Sequence, residues 1–111
     1  MIKLAAEKNY ENKIKHYIEE LGGWQVKFFA NMMTKSGIPD ILACVGGYFV
    51  AIEVKAQKGK PSELQLYQCA KIRKAGGFAF IAYPSGWEEL KKILYKLSHG
   101  YFDSDMALIL K

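Results

Sequence analysis

Glu53-Val54-Lys55 closes one apolar run, and Asp40 stands just ahead of another. The runs, Ile41–Val45 and Tyr48–Val54, are joined by Gly46-Gly47, a pair suited to a two-residue hairpin whose central positions need positive φ. With the turn there, Val45 faces Tyr48, and counting outward Asp40 faces Glu53. Directly opposed residues on one face of an antiparallel pair have Cβ atoms ~4.5–5.5 Å apart. Lys55, two residues beyond Glu53, shares that face. Two like charges so placed destabilise a sheet unless something compensates. Lys55 compensates in part and a divalent cation more fully, since Mg²⁺ and Mn²⁺ prefer carboxylate oxygens. The bland alternative is an ion triad at the sheet rim that contributes little.

The tripeptide E-x-K is weak evidence by itself, because it occurs at 11–13, 53–55 and 89–91. The first and third lie on expected helices, where residues two apart point in different directions. Only the middle copy lies on a strand, and only it has an Asp registered opposite.

The elements that must position these residues follow from periodicity. Tyr10, Ile14, Tyr17, Ile18 and Leu21 form one helical stripe, which Gly22-Gly23 ends. Glu11 shares a face with Ile14 and Ile18, so its carboxylate points toward the sheet; Glu7 is its competitor, and an ordinary first-turn acid is the alternative. Trp24, Val26 and Phe28 alternate like a strand, and a polar loop over 30–37 follows. Past the hairpin and the basic loop Lys58-Gly59-Lys60-Pro61, Ser62-Glu63-Leu64-Gln65 fits a capping box that opens a second helix. Residues 78–83 read as a buried strand. Ser85-Gly86-Trp87-Glu88 reads as a second capping box, opening a helix with Trp87, Leu90, Ile93, Leu94 and Leu97 inward. The order α-β-β-β-α-β-α predicts a small α/β domain with a mixed sheet, one domain over 1–111.

Composition narrows the partners. Sixteen basic and eleven acidic residues leave +5, and fifteen of the sixteen bases are Lys, with Arg73 the single Arg. Lysine is a flexible point charge, whereas bidentate reading of guanine edges is mostly arginine's work, so the surplus points to phosphates. Lys35, Lys58 and Lys60 adjoin the motif as candidate backbone contacts; Lys71, Arg73 and Lys74 read better as a solvated helix end. Tyr48 and Phe49 could stack on bases, though packing is the commoner use. Cys44 and Cys69 read as small buried hydrophobes in a reducing compartment. His99, Asp103 and Asp105 read as a polar loop. No run is long enough to span a bilayer and no apolar leader is visible, so a cytoplasmic protein is expected.

Gly37-Ile38-Pro39-Asp40, then Glu53-Val54-Lys55, then Gln65 on a capped helix resembles the PD-(D/E)xK nuclease superfamily, with its restriction-endonuclease-like αβββαβ core. Within it the sequence is most similar to the VRR-NUC group, particularly small stand-alone, phage-type forms, over about residues 7–95. The resemblance implies a Mg²⁺- or Mn²⁺-dependent endonuclease that leaves 5′-phosphates, and homodimers acting on branched or four-way DNA. Asp40 and Glu53 would be the metal carboxylates, with the Val54 carbonyl a further ligand and Glu11 binding directly or through water. Lys55, beside two carboxylates, would act through its charge on the attacking water or the transition state. Gln65 would either face the metal or serve only its helix cap. The tail 100–111 is expected to form a dimer contact. A non-cleaving nucleic-acid-binding module is the competing reading, but a pure binder gains nothing from clustered acids near phosphate. An unrelated hydrolase fold lacks any nucleophile or phosphate-loop motif.

Overall fold

The computed structural model describes residues 5–29, 36–103 and 105–111. In chain order they form α1 (Ala5–Glu20), β1 (Trp24–Lys27), β2 (Ile41–Val45), β3 (Tyr48–Val54), α2 (Glu63–Lys74), β4 (Phe78–Ala82), α3 (Trp87–Ser98) and β5 (Ile109–Leu110), with a 3₁₀ turn at Pro84–Gly86 before α3. The five strands make one sheet in sequence order. The β1–β2 and β2–β3 pairs are antiparallel, and β3–β4 and β4–β5 are parallel. This is the expected mixed sheet flanked by helices.

Strand alternation sorts the side chains onto two faces. Ile41, Ala43 and Val45 of β2 and Val50, Ile52 and Val54 of β3 join Tyr10, Ile14 and Ile18 of α1 and the α3 stripe Leu90, Ile93, Leu94 and Leu97 in one cluster. The opposite face carries a smaller cluster, Ala51, Ala79, Ile81 and Tyr83 packed with Cys69 of α2. The hairpin turn has φ of +59° at Gly46 and +87° at Gly47, the left-handed values that Gly-Gly permits. A side chain at Gly46 would collide with the Leu97 carbonyl, so this glycine also lets the hairpin tip close on the end of α3.

Several details depart from the sequence reading. The alternation of β1 runs apolar-outward: Trp24 and Val26 are exposed, while Gln25 and Lys27 are half-buried. The second capping box does not form. Gly86 caps α3 without a side-chain bond, and Ser85 instead pairs with Gln57, donating N–H to Gln57 Oε1 (3.0 Å) and accepting from Gln57 Nε2 (2.8 Å). The tail adds a fifth strand, whose Leu110 is buried in the larger cluster, so its apolar end packs on its own sheet. Arg73 is no solvated charge. Its guanidinium donates to the carbonyls of Ala79 (2.9 Å), Met106 (2.9 Å) and Ala107 (3.0 Å), tying the tail to the start of β4. Cys44 is exposed, unlike Cys69. Tyr48 packs edge-on against Phe78 and Phe102, a packing role.

Candidate active site at the sheet rim

The hairpin register fixes the two central acids. Val45 pairs with Tyr48 and Ile41 with Ile52, so the next residues outward are Asp40 and Glu53. Glu53 is 4% exposed and, by alternation with Ala51, lies on the face covered by α2. Asp40 is half-buried, one residue before β2. Its carbonyl accepts from Phe28 N–H at 2.7 Å, which holds its backbone against the end of β1. Its Oδ2 accepts from Val54 N–H at 2.9 Å. Within a strand a residue's N–H and C=O point to the same side, so the Val54 carbonyl also faces the Asp40 side.

Lys55 N–H donates to the Ala82 carbonyl at 2.9 Å, continuing the parallel ladder one step beyond Val54. Its side chain returns to Glu53, with Nζ 3.7 Å from Oε2. The expected one-face arrangement of Glu53 and Lys55 is therefore present.

Glu11 is 4% exposed, inside the helical stripe that buries Ile14 and Ile18, while Glu7 one turn earlier is only half-buried. Of the two, Glu11 is the acid aimed at the sheet. It meets Asp40 through a residue that sequence reasoning missed. Lys27 places its Nζ 2.8 Å from Glu11 Oε1 and 3.0 Å from Asp40 Oδ1. Lys15 lies 3.6 Å from the other Glu11 oxygen. The available signal was the alternation of β1: Lys27 is on the face opposite Trp24 and Val26, the face on which α1 packs. Among the described residues, no three Asp, Glu, His or Cys side chains converge as a ready metal cage. Glu11 and Asp40 are brought together with an ammonium between them, while Glu53, the residue registered opposite Asp40, meets Lys55.

Gln65 completes both halves of its capping box. Its N–H donates to Ser62 Oγ (3.1 Å), and its Oε1 accepts from Ser62 N–H (2.9 Å). Cys69, one turn further along the same helical face, is close enough to Glu53 to feel its charge. Burial pushes the Cys69 thiol up to about 11, the Glu53 carboxylate adds to the rise, and Arg73 opposes it. Lys58 and Lys60 are exposed on a loop pinned at two points, by the Gln57–Ser85 pair and by Tyr83 Oη donating to the Gly59 carbonyl at 2.7 Å. A Cβ on Gly59 would lie 3.6 Å from Lys55 Cδ, so this loop runs beside the catalytic lysine candidate. Lys35 lies outside the described residues.

Comparison with known proteins gives this geometry a family. The sequence profile of the archaeal Holliday junction resolvase (Hjc) family matches residues 4–99. Among solved structures, a VRR-NUC domain superposes with TM-score 0.62 at 25% identity, covering 89% of this chain and 100% of that one. Hjc from Archaeoglobus fulgidus, a Holliday junction resolvase from a hyperthermophile, superposes with TM-score 0.54 at 24% identity over 68% of this chain. That match spans 66% of the archaeal protein, just under two thirds of its length. No curated protein matches the chain.

Proposed function

The chain belongs to the archaeal Holliday junction resolvase family, and on that premise we propose that it is a structure-specific endonuclease that hydrolyses phosphodiester bonds in branched, four-way DNA. The observation that carries the reading is the registered pair Asp40 and Glu53 at the rim, with Lys55 on Glu53. Buried acids facing each other are costly without a compensating cation, and this rim already draws one: the Lys27 ammonium rests between Glu11 and Asp40 at hydrogen-bonding distance from both. Hard oxygen donors of this kind suit Mg²⁺ or Mn²⁺. Asp40 and Glu53 would hold the ion, with the Val54 carbonyl and Glu11, directly or through water, as further donors.

When bound, such an ion supplies positive charge to a non-bridging phosphate oxygen and acidifies water for in-line attack. The protein's own part is positioning. The Val54 N–H fixes one oxygen of Asp40, so that carboxylate is oriented before substrate arrives. Lys55, held at Glu53, sets a positive charge where negative charge grows on the phosphoryl oxygens in the transition state. The Gln65 oxygen is engaged by its helix cap, which leaves its Nε2 as the group to orient water. Lys58 and Lys60, on their pinned loop, contact backbone phosphates, with Lys35 as a further contact. A homodimer would present two such sites to the two strands that a four-way junction requires to be cut.

The test compares the protein with Asp40→Ala on duplex, flap and four-way DNA, in Mg²⁺, Mn²⁺ or EDTA. Junction cleavage that falls to background in EDTA and in the variant is expected. Cleavage indifferent to both would sink the metallonuclease reading, and junction binding without cleavage by either protein would favour the non-cleaving module. Light scattering of the eluted protein checks the dimer.

A further inference from the structure

Of the two cations on Glu11 to which the proposed reaction gives no part, Lys15 at 3.6 Å and Lys27 at 2.8 Å, only Lys27 is also placed on Asp40 among the described contacts. Its side chain is 20% exposed, against 6% for Glu11 and 17% for Asp40, and its Nζ contacts both carboxylates within 3.0 Å. It reaches them from β1, whereas Glu11 comes from α1 and Asp40 from the approach to β2, so one ammonium ties three separate segments. Lys55, by comparison, lies 3.7 Å from Glu53.

We propose that Lys27 is a tethered counter-ion that assembles Glu11 and Asp40 before any metal is present and that a divalent cation must displace. This rests on the metal reading above. Asp40 Oδ1 and Glu11 Oε1 cannot both hold an ammonium at 2.8–3.0 Å and serve a metal ion between them, since the two cations would occupy one gap and repel each other. The lysine-closed arrangement therefore excludes metal from that gap, and apparent affinity is lowered by the fraction of molecules in which the gap is open. The pair has a second effect. With Lys27 in place two partly buried carboxylates share a positive partner at no cost in metal, so the rim keeps its shape when metal is scarce.

Mn²⁺ binding to the DNA-free protein, followed by the loss of the free-ion electron paramagnetic resonance signal, separates the possibilities without reference to cleavage. Lys27→Met and Lys27→Gln remove the competing charge, and each should bind Mn²⁺ at least about tenfold more tightly than the unmodified protein. Lys27→Arg keeps the charge and should bind as the unmodified protein does. In EDTA the two neutral variants should melt lower, and added Mn²⁺ should raise their melting temperature by more than it raises the unmodified protein's. Neutral variants that bind Mn²⁺ no more tightly, or more weakly, would overturn the counter-ion role while leaving the metal site standing. Absence of Mn²⁺ binding by the unmodified protein and by every variant would instead overturn the metal reading, and this inference with it. Should either neutral variant fail to fold, the Arg variant decides, since it keeps a positive charge between the two carboxylates. For the role to stand it must bind Mn²⁺ as the unmodified protein does and melt within the unmodified protein's range in EDTA, and tighter Mn²⁺ binding by it would overturn the role.

Discussion

On the side of the sheet covered by α1 and α3, sixteen of the described residues form one buried apolar cluster, with Phe80, Leu90, Leu94 and Leu97 fully enclosed. On the α2 side the corresponding cluster has five, three of them Ala, Ala and Cys. Burying a Leu or Phe side chain stabilises a fold by ~1.5–3 kcal/mol and an Ala by much less, so the two faces do unequal thermodynamic work. The thin face also leaves Trp24 and Phe49 exposed, since α2 packs on β3 and β4. Each layer nonetheless buries one carboxylate, Glu53 on the thin face and Glu11 in the α1 stripe of the thick one. The candidate acids Asp40 and Glu53 lie at the rim reached by the hairpin register, beside the carboxyl end of β3. The difference teaches that the chain concentrates its apolar burial on one face of the sheet and leaves the other thin beside Glu53.

Truncation inside each layer gives the sharpest way to break that contrast. Leu94→Ala should cost ~2–5 kcal/mol in urea denaturation, whereas Cys69→Ala, which removes one sulfur atom beneath α2, should cost about 1 kcal/mol. Equal losses would erase the distinction. Next in size is the Arg73 clasp on the thin side. Arg73→Met strips three carbonyls of a charged donor, and we expect ~1.5–3 kcal/mol of lost stability. Amide exchange should quicken at Ile81 and Tyr83, whose N–H groups bond the tail carbonyls of Leu108 and Leu110; unchanged exchange there would show that the tail is held without the clasp. The smallest perturbation is chemical. With the folded protein at pH 8, a thiol-specific reagent should modify Cys44 quickly and spare Cys69, whose thiol is buried and raised to about 11. Two fast thiols in the native protein would mean that α2 opens readily.

Legibility in the sequence followed the range of the interaction. The Asp40–Glu53 register was readable because a two-glycine turn fixes every later pair, and α3's stripe because four large aliphatics repeat at helical spacing. The burial of Glu11 was readable for the same reason. Lys27 was not, because its partners come from two other segments and because Trp24 and Val26 supply a persuasive but outward-facing apolar set. The tail was unreadable since two residues make a strand only when β4 is beside them. Ser85 matched a capping pattern, but a partner twenty-eight residues away, Gln57, took its hydroxyl.

The loop that carries Lys58 and Lys60 is stapled by Gln57 to Ser85 and by Tyr83 to the Gly59 carbonyl. Its backbone is thereby tethered on folding, so that under the proposed function only two lysine side chains would remain to be ordered on a phosphate chain. Freezing a rotamer-rich side chain on association costs ~0.5–1.5 kcal/mol, and a fluid loop would add its backbone to that. Under the proposed function, a ligand at this edge would meet two flexible charges on tethered attachment points, so the spacing of those points, and not a rearranging loop, would set which shapes both lysines can reach.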